Sequence, residues 1–201
     1  MAVQNGLELA ELRHRLLNNF QLLQALIGIR LRSVEDPESR RHLAWLTDVI
    51  AALALLNRRL GSGTSDFGAY LNEAAGFWER IAAGREIAFQ LDSSAVTVPE
   101  RMSSSLALIV HELVANAVEH AFPDNRPGRI AITLRNAYGV LELVVRDDGH
   151  GGAREKDETE GLALVRGLAE YLGGTLQLET DGGLVATVRV PLDAPKDARK
   201  H

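Results

Sequence analysis

The first sixty residues carry an apolar repeat with a helical period that is interrupted once. Apolar side chains recur every three or four positions, at Leu9, Leu12, Leu16, Phe20, Leu23 and Ile27. This spacing places them along one face of a helix. Pro37 cannot continue that helix, and a second apolar repeat follows from Leu43 to Leu60. The pattern predicts a hairpin of two long helices over residues 1–62.

The two predicted helices carry more apolar surface than one hairpin can bury. Each helix would bury one stripe against the other and leave a second stripe, which includes Trp45 and Val49, in contact with water. A four-helix bundle formed by two chains buries both stripes, so we expect a homodimer. The alternative is that the second stripe packs against the C-terminal part of the same chain.

Beyond a junction rich in glycine and serine at residues 61–65, the periodicity becomes mixed. Helical patterns and strand-like runs follow one another, with helices expected at 66–81, 103–121 and 161–172 and strands at 86–91, 129–134, 140–146, 175–179 and 184–190. The fold class is therefore α+β. We expect the hairpin, then an α/β sandwich over residues 66–192 with three helices on one face of a sheet, and a polar tail at 193–201.

Composition excludes several classes of protein. The 22 Lys and Arg residues are outnumbered by 27 Asp and Glu residues, so we expect no nucleic-acid partner. The chain has no cysteine, which rules out disulfides, zinc held by cysteine and thiol catalysis. No apolar run approaches the length of a membrane span, and the N-terminus lacks the apolar core of a secretory signal. We expect a cytoplasmic chain with no membrane partner.

One predicted helix, HELVANAVEH, carries three polar residues on a single face. Glu112, Asn116 and His120 are spaced four residues apart, so their side chains line up along the helix. An asparagine carbonyl is a hard oxygen ligand of the kind that Mg²⁺ accepts together with waters and phosphates. The alternative is an ordinary solvated helix face.

Two further segments combine glycine with polar residues where an element ends or begins. The strand LELVVRD ends in Asp147, followed by a loop with Gly149 and Gly151, and a carboxylate at a strand end can accept a hydrogen bond from an exocyclic amine. Gly161 starts the next helix, where free backbone N–H groups attract phosphate. Taken alone, the loop after Asp147 is also explained as a plain turn, and the segment at Gly161 as an ordinary helix start.

In this order and spacing, the three segments resemble the ATP-binding domain of sensor histidine kinases, which has the Bergerat or GHKL fold. The resemblance covers about residues 66–192 and implies ATP and Mg²⁺ as cofactors. It implies that Asn116 holds Mg²⁺, that Asp147 contacts the adenine amine, and that Gly161 brings backbone N–H groups to the phosphates. The other ATP-site residues that it implies are His120, Gly149, Gly151, Leu162 and Thr187, with Glu112 in a catalytic role.

The N-terminal hairpin resembles the phosphoacceptor region of the HisKA_2 class of histidine kinases. Within ELRHRLLNNFQ, residues 11–21, His14 would be the phosphorylated residue, and Asn18 one turn later would orient it. Many histidine kinases have an acidic residue directly after the phosphoacceptor, whereas this chain has Arg15. Glu11 is then a candidate general base. The position of Asn18 also predicts a role in dephosphorylating a response regulator.

The resemblance implies a histidine kinase that transfers phosphate from ATP to His14 and then to an aspartate of a response regulator. No sensory segment precedes the hairpin, so either the chain is part of a longer kinase or a separate sensory partner supplies the signal. The alternative is a phosphotransfer relay protein with a weak ATP site, because Glu119 stands where the family commonly has a basic residue. A third hypothesis is a protein kinase that phosphorylates serine of a partner protein. This hypothesis does not explain the sequence of the hairpin.

Overall fold

The computed structural model describes residues 2–57, 64–93, 95–150 and 160–193, and side chains at residue 11 and from residue 14 onward. Most of the predicted junction, the loop from Gly151 to 159 and almost all of the predicted tail lie outside the described residues. Two helices open the chain, α1 (Ala2–Ser33) and α2 (Pro37–Asn57). The hairpin is therefore confirmed, with its turn at the predicted position.

The turn between α1 and α2 is closed by its own polar groups. The Asp36 carboxylate accepts a hydrogen bond from the backbone N–H of Ser39 at 2.7 Å, which caps α2. Hydrogen bonding from the Ser39 side chain, and then from its backbone, lowers the pKa of the Asp36 carboxyl. The Arg40 guanidinium donates to the backbone carbonyls of Leu31 and Val34 at 3.1 and 3.0 Å. These bonds satisfy carbonyls at the end of α1 and fold α2 back along it.

The rest of the chain forms a five-stranded sheet with helices on one face. In chain order the elements are β1 (Thr64–Asp66), α3 (Phe67–Ile81), β2 (Ile87–Ser93), β3 (Thr97–Pro99), α4 (Glu100–His120), a 3₁₀ turn (Pro123–Asn125), β4 (Gly128–Ala137), β5 (Val140–Asp147), α5 (Glu160–Tyr171), β6 (Thr175–Thr180) and β7 (Leu184–Pro191). The sheet order is β2-β4-β5-β7-β6, with only β2 and β4 parallel. β1 and β3 form a separate antiparallel pair.

Side chains alternate along the strands between a buried core and a polar face. Leu141, Leu143 and Val145 of β5 are buried beneath the helices, and Ala186 and Val188 of β7 continue this core. The opposite sheet face carries cross-strand ion pairs, with Arg189 Nε to Glu142 Oε2 at 2.7 Å and Arg135 Nη2 to Asp92 Oδ2 at 3.0 Å. The chain is therefore an α/β sandwich of two layers, as predicted.

Two local features differ from expectation. The strands β1 and β3 are missing from the sequence prediction because each has three residues, too few to show an alternation. α4 begins at Glu100, three residues before the predicted start, and its first two turns bury Ser103 and Ser105. Serine on a core-facing stripe hides the helical period from a hydrophobicity pattern.

The apolar surface of the hairpin is covered unevenly. Ala52 and Leu56 of α2 are buried, and Leu56 packs with the core of the α/β sandwich, so the predicted intramolecular packing holds for the C-terminal half of α2. α1 instead exposes a row of large apolar side chains: Leu16, Leu22, Leu23, Leu26 and Ile29. Among the described residues of one chain, nothing buries this row of α1. Among the described helices, none combines the length and apolar character needed to cross a bilayer.

Candidate functional site

The polar stripe of α4 runs from a buried position to solvent. Glu112 is 5% exposed, Asn116 is half-buried, and His120 is exposed at the end of the helix, with its Nε2 3.9 Å from Glu119 Oε2. The structure therefore places the three predicted residues on one face, but in three different environments. Only Asn116 and His120 lie near the end of the helix where the loop after β5 arrives.

Glu112 is engaged by the hairpin. Its Oε1 accepts a hydrogen bond from the indole Nε1 of Trp45 in α2. Burial raises the pKa of the Glu112 carboxyl, the bond from Trp45 opposes this, and the carboxylates of Glu119 and Asp48 raise the pKa further. A catalytic role for Glu112 stays a prediction, and in this arrangement one of its oxygens is occupied.

Asp147 is held inside the fold at the end of β5. It is 3% exposed, and its Oδ1 accepts hydrogen bonds from the backbone N–H groups of Gly149 at 2.8 Å and Leu184 at 3.3 Å. Burial raises the pKa of this carboxyl, and the two backbone bonds offset part of that effect. The two bonds fix the orientation of the carboxyl group, so that it can accept a hydrogen bond from a planar amine.

The neighbouring Asp148 has a structural role instead. Its Oδ1 accepts from the backbone N–H of Arg129 at 2.7 Å, and its own N–H donates to the Arg129 carbonyl at 3.2 Å. The Arg126 guanidinium donates to the Asp148 carbonyl at 2.6 Å. These bonds tie the strand end to the start of β4, and the alternation of the strand turns Asp148 away from the core that receives Asp147.

Glycine is required at two points around Asp147 by close backbone approach. A Cβ on Gly149 would lie 2.3 Å from the carbonyl oxygen of Ala121, just after α4, where the N–H of His150 also donates at 3.2 Å. Gly183, with φ at +147°, would place a Cβ 2.0 Å from the carbonyl oxygen of Asp147. The loop after β5 thus packs against the end of α4 on one side and the β6–β7 turn on the other.

The third segment forms the start of α5. Gly161 is half-buried in the first turn of α5, Leu162 is buried, and α5 packs along α4. Gly151 lies outside the described residues. Thr187 is separated from the site, because it pairs with Val144 on the polar sheet face, opposite to the face that carries Asp147. The alternation along β7 overturns the expected place of Thr187 near a ligand that Asp147 would bind.

In the hairpin, the ring of His14 is exposed and has one polar neighbour on the next turn. The Asn18 amide Nδ2 lies 3.3 Å from His14 Nδ1, a hydrogen bond whose direction depends on the histidine tautomer and the amide orientation. Glu11 is engaged elsewhere, since its Oε1 accepts from Arg15 Nη2 at 2.6 Å and from Nε at 3.2 Å. The structure pairs His14 with Asn18 and pairs Glu11 with Arg15.

Sequence reasoning missed Trp45 and Asp48 as residues near the site. Both lie on the stripe of α2 that packs against α4, and Asp48 has its pKa raised to about 6 by burial and by the Glu119 carboxylate. The sequence offered one signal for these two residues, a tryptophan and an aspartate on a second apolar stripe. A polar group that is buried with such a stripe needs a hydrogen-bond partner. The partner helix could not be known from the pattern.

Comparisons with known proteins account for both parts of the chain. Residues 11–76 match the profile of a histidine kinase family, HisKA_2, and residues 102–194 match that of the histidine kinase-, DNA gyrase B- and HSP90-like ATPases. The chain belongs to the histidine kinase family. Its ATPase-type domain is therefore an ATP-binding domain, and the resemblance drawn from the three segments is confirmed.

Several relatives of this chain are named sensor or light-activated histidine kinases. It is 27% identical to blue-light-activated histidine kinase 2 of Erythrobacter litoralis, over 94% of this chain and 58% of the relative. It is also 27% identical to the sensor histidine kinase PdtaS of Mycobacterium tuberculosis, over 90% of this chain and 39% of the relative. The chain thus spans well under two thirds of the length of these relatives.

Solved structures share the fold. A blue-light-activated histidine kinase of Erythrobacter litoralis superposes with a TM-score of 0.71 at 26% identity, over 92% of this chain and 60% of the other. The isolated histidine kinase domain from that organism gives a TM-score of 0.68 at 23% identity, over 86% of this chain and 96% of the other. The GHKL-type architecture expected from the sequence is confirmed.

Proposed function

We propose that this chain transfers the γ-phosphoryl group of ATP to His14 and then to an aspartate of a response regulator. The observation that carries the proposal is the junction of three elements around Asp147. The loop after β5 packs on the end of α4, the backbone N–H of Leu184 after the β6–β7 turn donates to Asp147, and α5 packs along α4. A buried acceptor, a half-buried amide and the N–H groups of a helix start suit adenine, Mg²⁺ and phosphate in turn.

Each residue in this proposal has a defined chemical task. Asp147 accepts a hydrogen bond from the adenine amine, and the N–H groups around Gly161 and Leu162 receive phosphate oxygens. Asn116 offers a carbonyl oxygen to Mg²⁺, while the exposed His120 at the end of α4 lies within reach of the phosphates. No group of three or more acidic, histidine or cysteine residues that could hold a metal occurs in the described part of the chain. The ion would therefore share its coordination with phosphates and waters, which suits Mg²⁺, and it would neutralise phosphate charge.

The transfer at His14 needs one ring nitrogen with a free electron pair. With its amide rotated, Asn18 accepts from Nδ1–H, which leaves Nε2 as the nucleophile. Nε2 forms the new P–N bond, the bond between the γ-phosphorus and the bridging oxygen breaks, and ADP leaves. The phosphoryl group then passes to a carboxylate oxygen of the regulator as the P–N bond breaks, which returns the electron pair to Nε2 and leaves a neutral imidazole with its proton on Nδ1. Catalysis is then mainly positioning and charge neutralisation.

The test is labelling of the purified chain with γ-labelled ATP and Mg²⁺. Wild-type protein should acquire label that is lost in acid and stable in alkali, and His14→Ala and Asn116→Ala should each reduce it at least 100-fold. His42→Ala is the matched control, since His42 is an exposed histidine of the same hairpin. Alkali-labile label would contradict the proposal.

A relay protein is the second candidate, and Glu119 favours it. Its carboxylate is exposed on the last turn of α4, beside the region where phosphate would bind, and an anion there weakens nucleotide affinity. The same experiment separates the two candidates. A chain that takes no label from ATP but acquires phosphate at His14 from a phosphorylated regulator would be a relay protein.

We also propose that two chains associate through α1. Its apolar row is uncovered in the single chain, and a parallel four-helix bundle would bury it. The sensory signal would then reach this bundle from a separate partner or from further segments of a longer kinase.

A further inference from the structure

The turn between α4 and β4 is anchored to the core at both of its ends. Phe122 is 2% exposed, and a Cβ on Gly128 would collide with the Phe122 ring, so these two residues pack closely. Between them, Asp124 and Asn125 have φ values of +58° and +55°, a left-handed conformation that these two residue types tolerate better than most. The turn is therefore fixed in place beside the end of β5.

This turn presents Arg126 to the end of β5. Pro127 restricts the residue before it to an extended conformation, and Arg126 accordingly has φ −59° and ψ 141°. From this position its guanidinium Nη2 donates to the backbone carbonyl of Asp148 at 2.6 Å. The backbone N–H of Arg129 donates to the Asp148 carboxylate at 2.7 Å. The two arginines thus fix the residue that directly follows Asp147.

The carboxyl group of Asp147 uses its two oxygens differently. Oδ1 accepts both of the backbone hydrogen bonds, from the N–H groups of Gly149 and Leu184. Oδ2 is then the atom that would accept from the adenine amine. A proton taken up by the carboxyl would also go to Oδ2 and turn it from an acceptor into a donor. Binding of the amine therefore requires the ionised carboxylate.

Two neighbouring charges act on this ionisation in opposite directions. Burial is the largest influence and raises the pKa of the Asp147 carboxyl, and the Asp148 carboxylate raises it further. The backbone bonds lower the pKa, and so does the positive charge of Arg126. Because Arg126 is half-buried, solvent screens its attraction only in part. Of the two charged neighbours, Arg126 is the one that favours the ionised form.

Other titratable groups lie on the elements that pack around this carboxyl. They are Glu119 and His120 on the last turn of α4, His150 in the loop after β5, and Asp181 in the β6–β7 turn, which pairs with Arg146 at 3.1 Å. All of them are the same in every variant of Arg126. Their titration therefore cancels when these variants are compared with one another.

We propose that Arg126 is a positioning residue of the ATP site, which holds the loop after β5 and keeps Asp147 ionised to receive the adenine amine. The proposal rests on the proposed function, because that function assigns Asp147 to the amine. Arg126 acts on the loop through the Asp148 carbonyl and on Asp147 through its charge. Substitution separates the two effects, since lysine keeps the charge and glutamine keeps a hydrogen-bond donor without the charge.

The test measures the binding of two nucleotides to the full chain between pH 5.5 and pH 8. One probe is a non-hydrolysable ATP analogue, and the other is the matching analogue of purine riboside triphosphate, which lacks the amine. With Arg126→Gln, affinity for the ATP analogue should fall about threefold more at pH 5.5 than at pH 8, because more of the Asp147 carboxyl is protonated. Arg126→Lys should keep the wild-type pH dependence. The purine analogue should show no such loss with either variant.

Arg135→Gln is the matched control, because it removes the same charge from an exposed ion pair with Asp92 at the far end of β4. It should leave both affinities unchanged at every pH. A loss in Arg126→Gln that is independent of pH would overturn the proposal, as would equal losses for the two analogues. So would a pH-dependent loss of the same size in Arg126→Lys.

A measurement without nucleotide separates this proposal from the proposed function. Carbon-13 resonances of the aspartate carboxyl groups, with Asp147→Asn to assign the signal, should show Asp147 titrating at higher pH in Arg126→Gln than in wild type. An unchanged titration would overturn the role of Arg126. If wild-type protein binds neither analogue, the proposed function fails, and the titration still decides whether Arg126 keeps Asp147 ionised.

Discussion

At the scale of single residues, two neighbouring aspartates differ in role because their surroundings differ. Asp147 is buried and accepts two backbone bonds on one oxygen, whereas Asp148 closes the turn to β4. Glu11 pairs with Arg15, which leaves Asn18 as the polar neighbour that the structure shows at His14. Asp147 is the inward carboxylate because its position in β5 shares the buried face of Leu143 and Val145.

Gly149 is the glycine whose replacement should be most damaging to the site. Gly149→Ala would place a methyl group 2.3 Å from the carbonyl oxygen of Ala121, so backbone must move at the end of α4. We expect a loss of about 1–3 kcal/mol in the free energy of unfolding, measured by urea denaturation, and weaker binding of a fluorescent ATP analogue.

The matched control for that change is Gly167→Ala. Gly167 lies in α5 with nothing within 4 Å of the added methyl group, so alanine should stabilise the chain by about 0.5–1 kcal/mol. Equal stability of the Gly149→Ala variant and wild type would contradict the close approach at Ala121.

At the scale of elements, α4 is central to the ATP-binding domain. One face of α4 packs in the core, another contacts the hairpin, and its C-terminal end carries residues of the candidate site. Its core face includes His111, which is 1% exposed and packs against Phe77 in a tilted arrangement with ring centroids 5.7 Å apart. Its Nδ1 has no hydrogen-bond partner among the described residues. Burial lowers the pKa of this histidine to about 4. The ring is therefore neutral at physiological pH and packs as an aromatic core residue.

His111 should make the domain sensitive to acid. Its pKa is about 4 in the folded chain and 6.5 in the reference state, so the unfolded chain takes up the proton first as pH falls. Stability is complete above pH 6.5 and declines towards pH 4, by up to about 3 kcal/mol from this group. His111→Leu should remove that part of the decline in denaturation curves at pH 7, 5.5 and 4.5. Parallel pH profiles for the variant and wild type would contradict the assignment.

At the scale of the whole molecule, the hairpin has two different apolar faces. α2 packs its C-terminal half into the core of the sandwich, while α1 leaves Leu22 59% and Ile29 60% exposed. Large apolar side chains in such a row mark an interface. The packing of α2 on the sandwich thus covers one face of the hairpin, and the exposed face of α1 is the surface through which we propose that two chains associate.

Association through α1 can be measured by light scattering after size exclusion. Wild-type protein should have twice the mass of the single chain, and the double variant Leu22→Glu with Ile29→Glu should have the mass of one chain, because buried carboxylates oppose the interface. Tyr138→Glu is the control, since Tyr138 is fully exposed on the β4–β5 turn and away from the hairpin. A monomeric wild-type chain at micromolar concentration would contradict the proposed dimer.

The sequence by itself determined the elements whose cause is local. Helical period, Pro37 with its Asp36 cap, the alternation in β4, β5 and β7, and the order of the three polar segments all follow from side chains a few positions apart. That local information was enough for the fold class. It was not enough for Thr187, whose strand was predicted correctly but whose sheet face depends on pairing with β5.

Only the tertiary structure decided which distant groups meet. The bond from Trp45 to Glu112 joins residues 67 positions apart, and the approach of Asp48 to Glu119 depends on the same packing of α2 on α4. Burial energy has no direction along the chain, so a pattern of apolar stripes shows that a surface must be covered without naming the surface that covers it. The environment of Glu112 therefore follows from the packed fold alone.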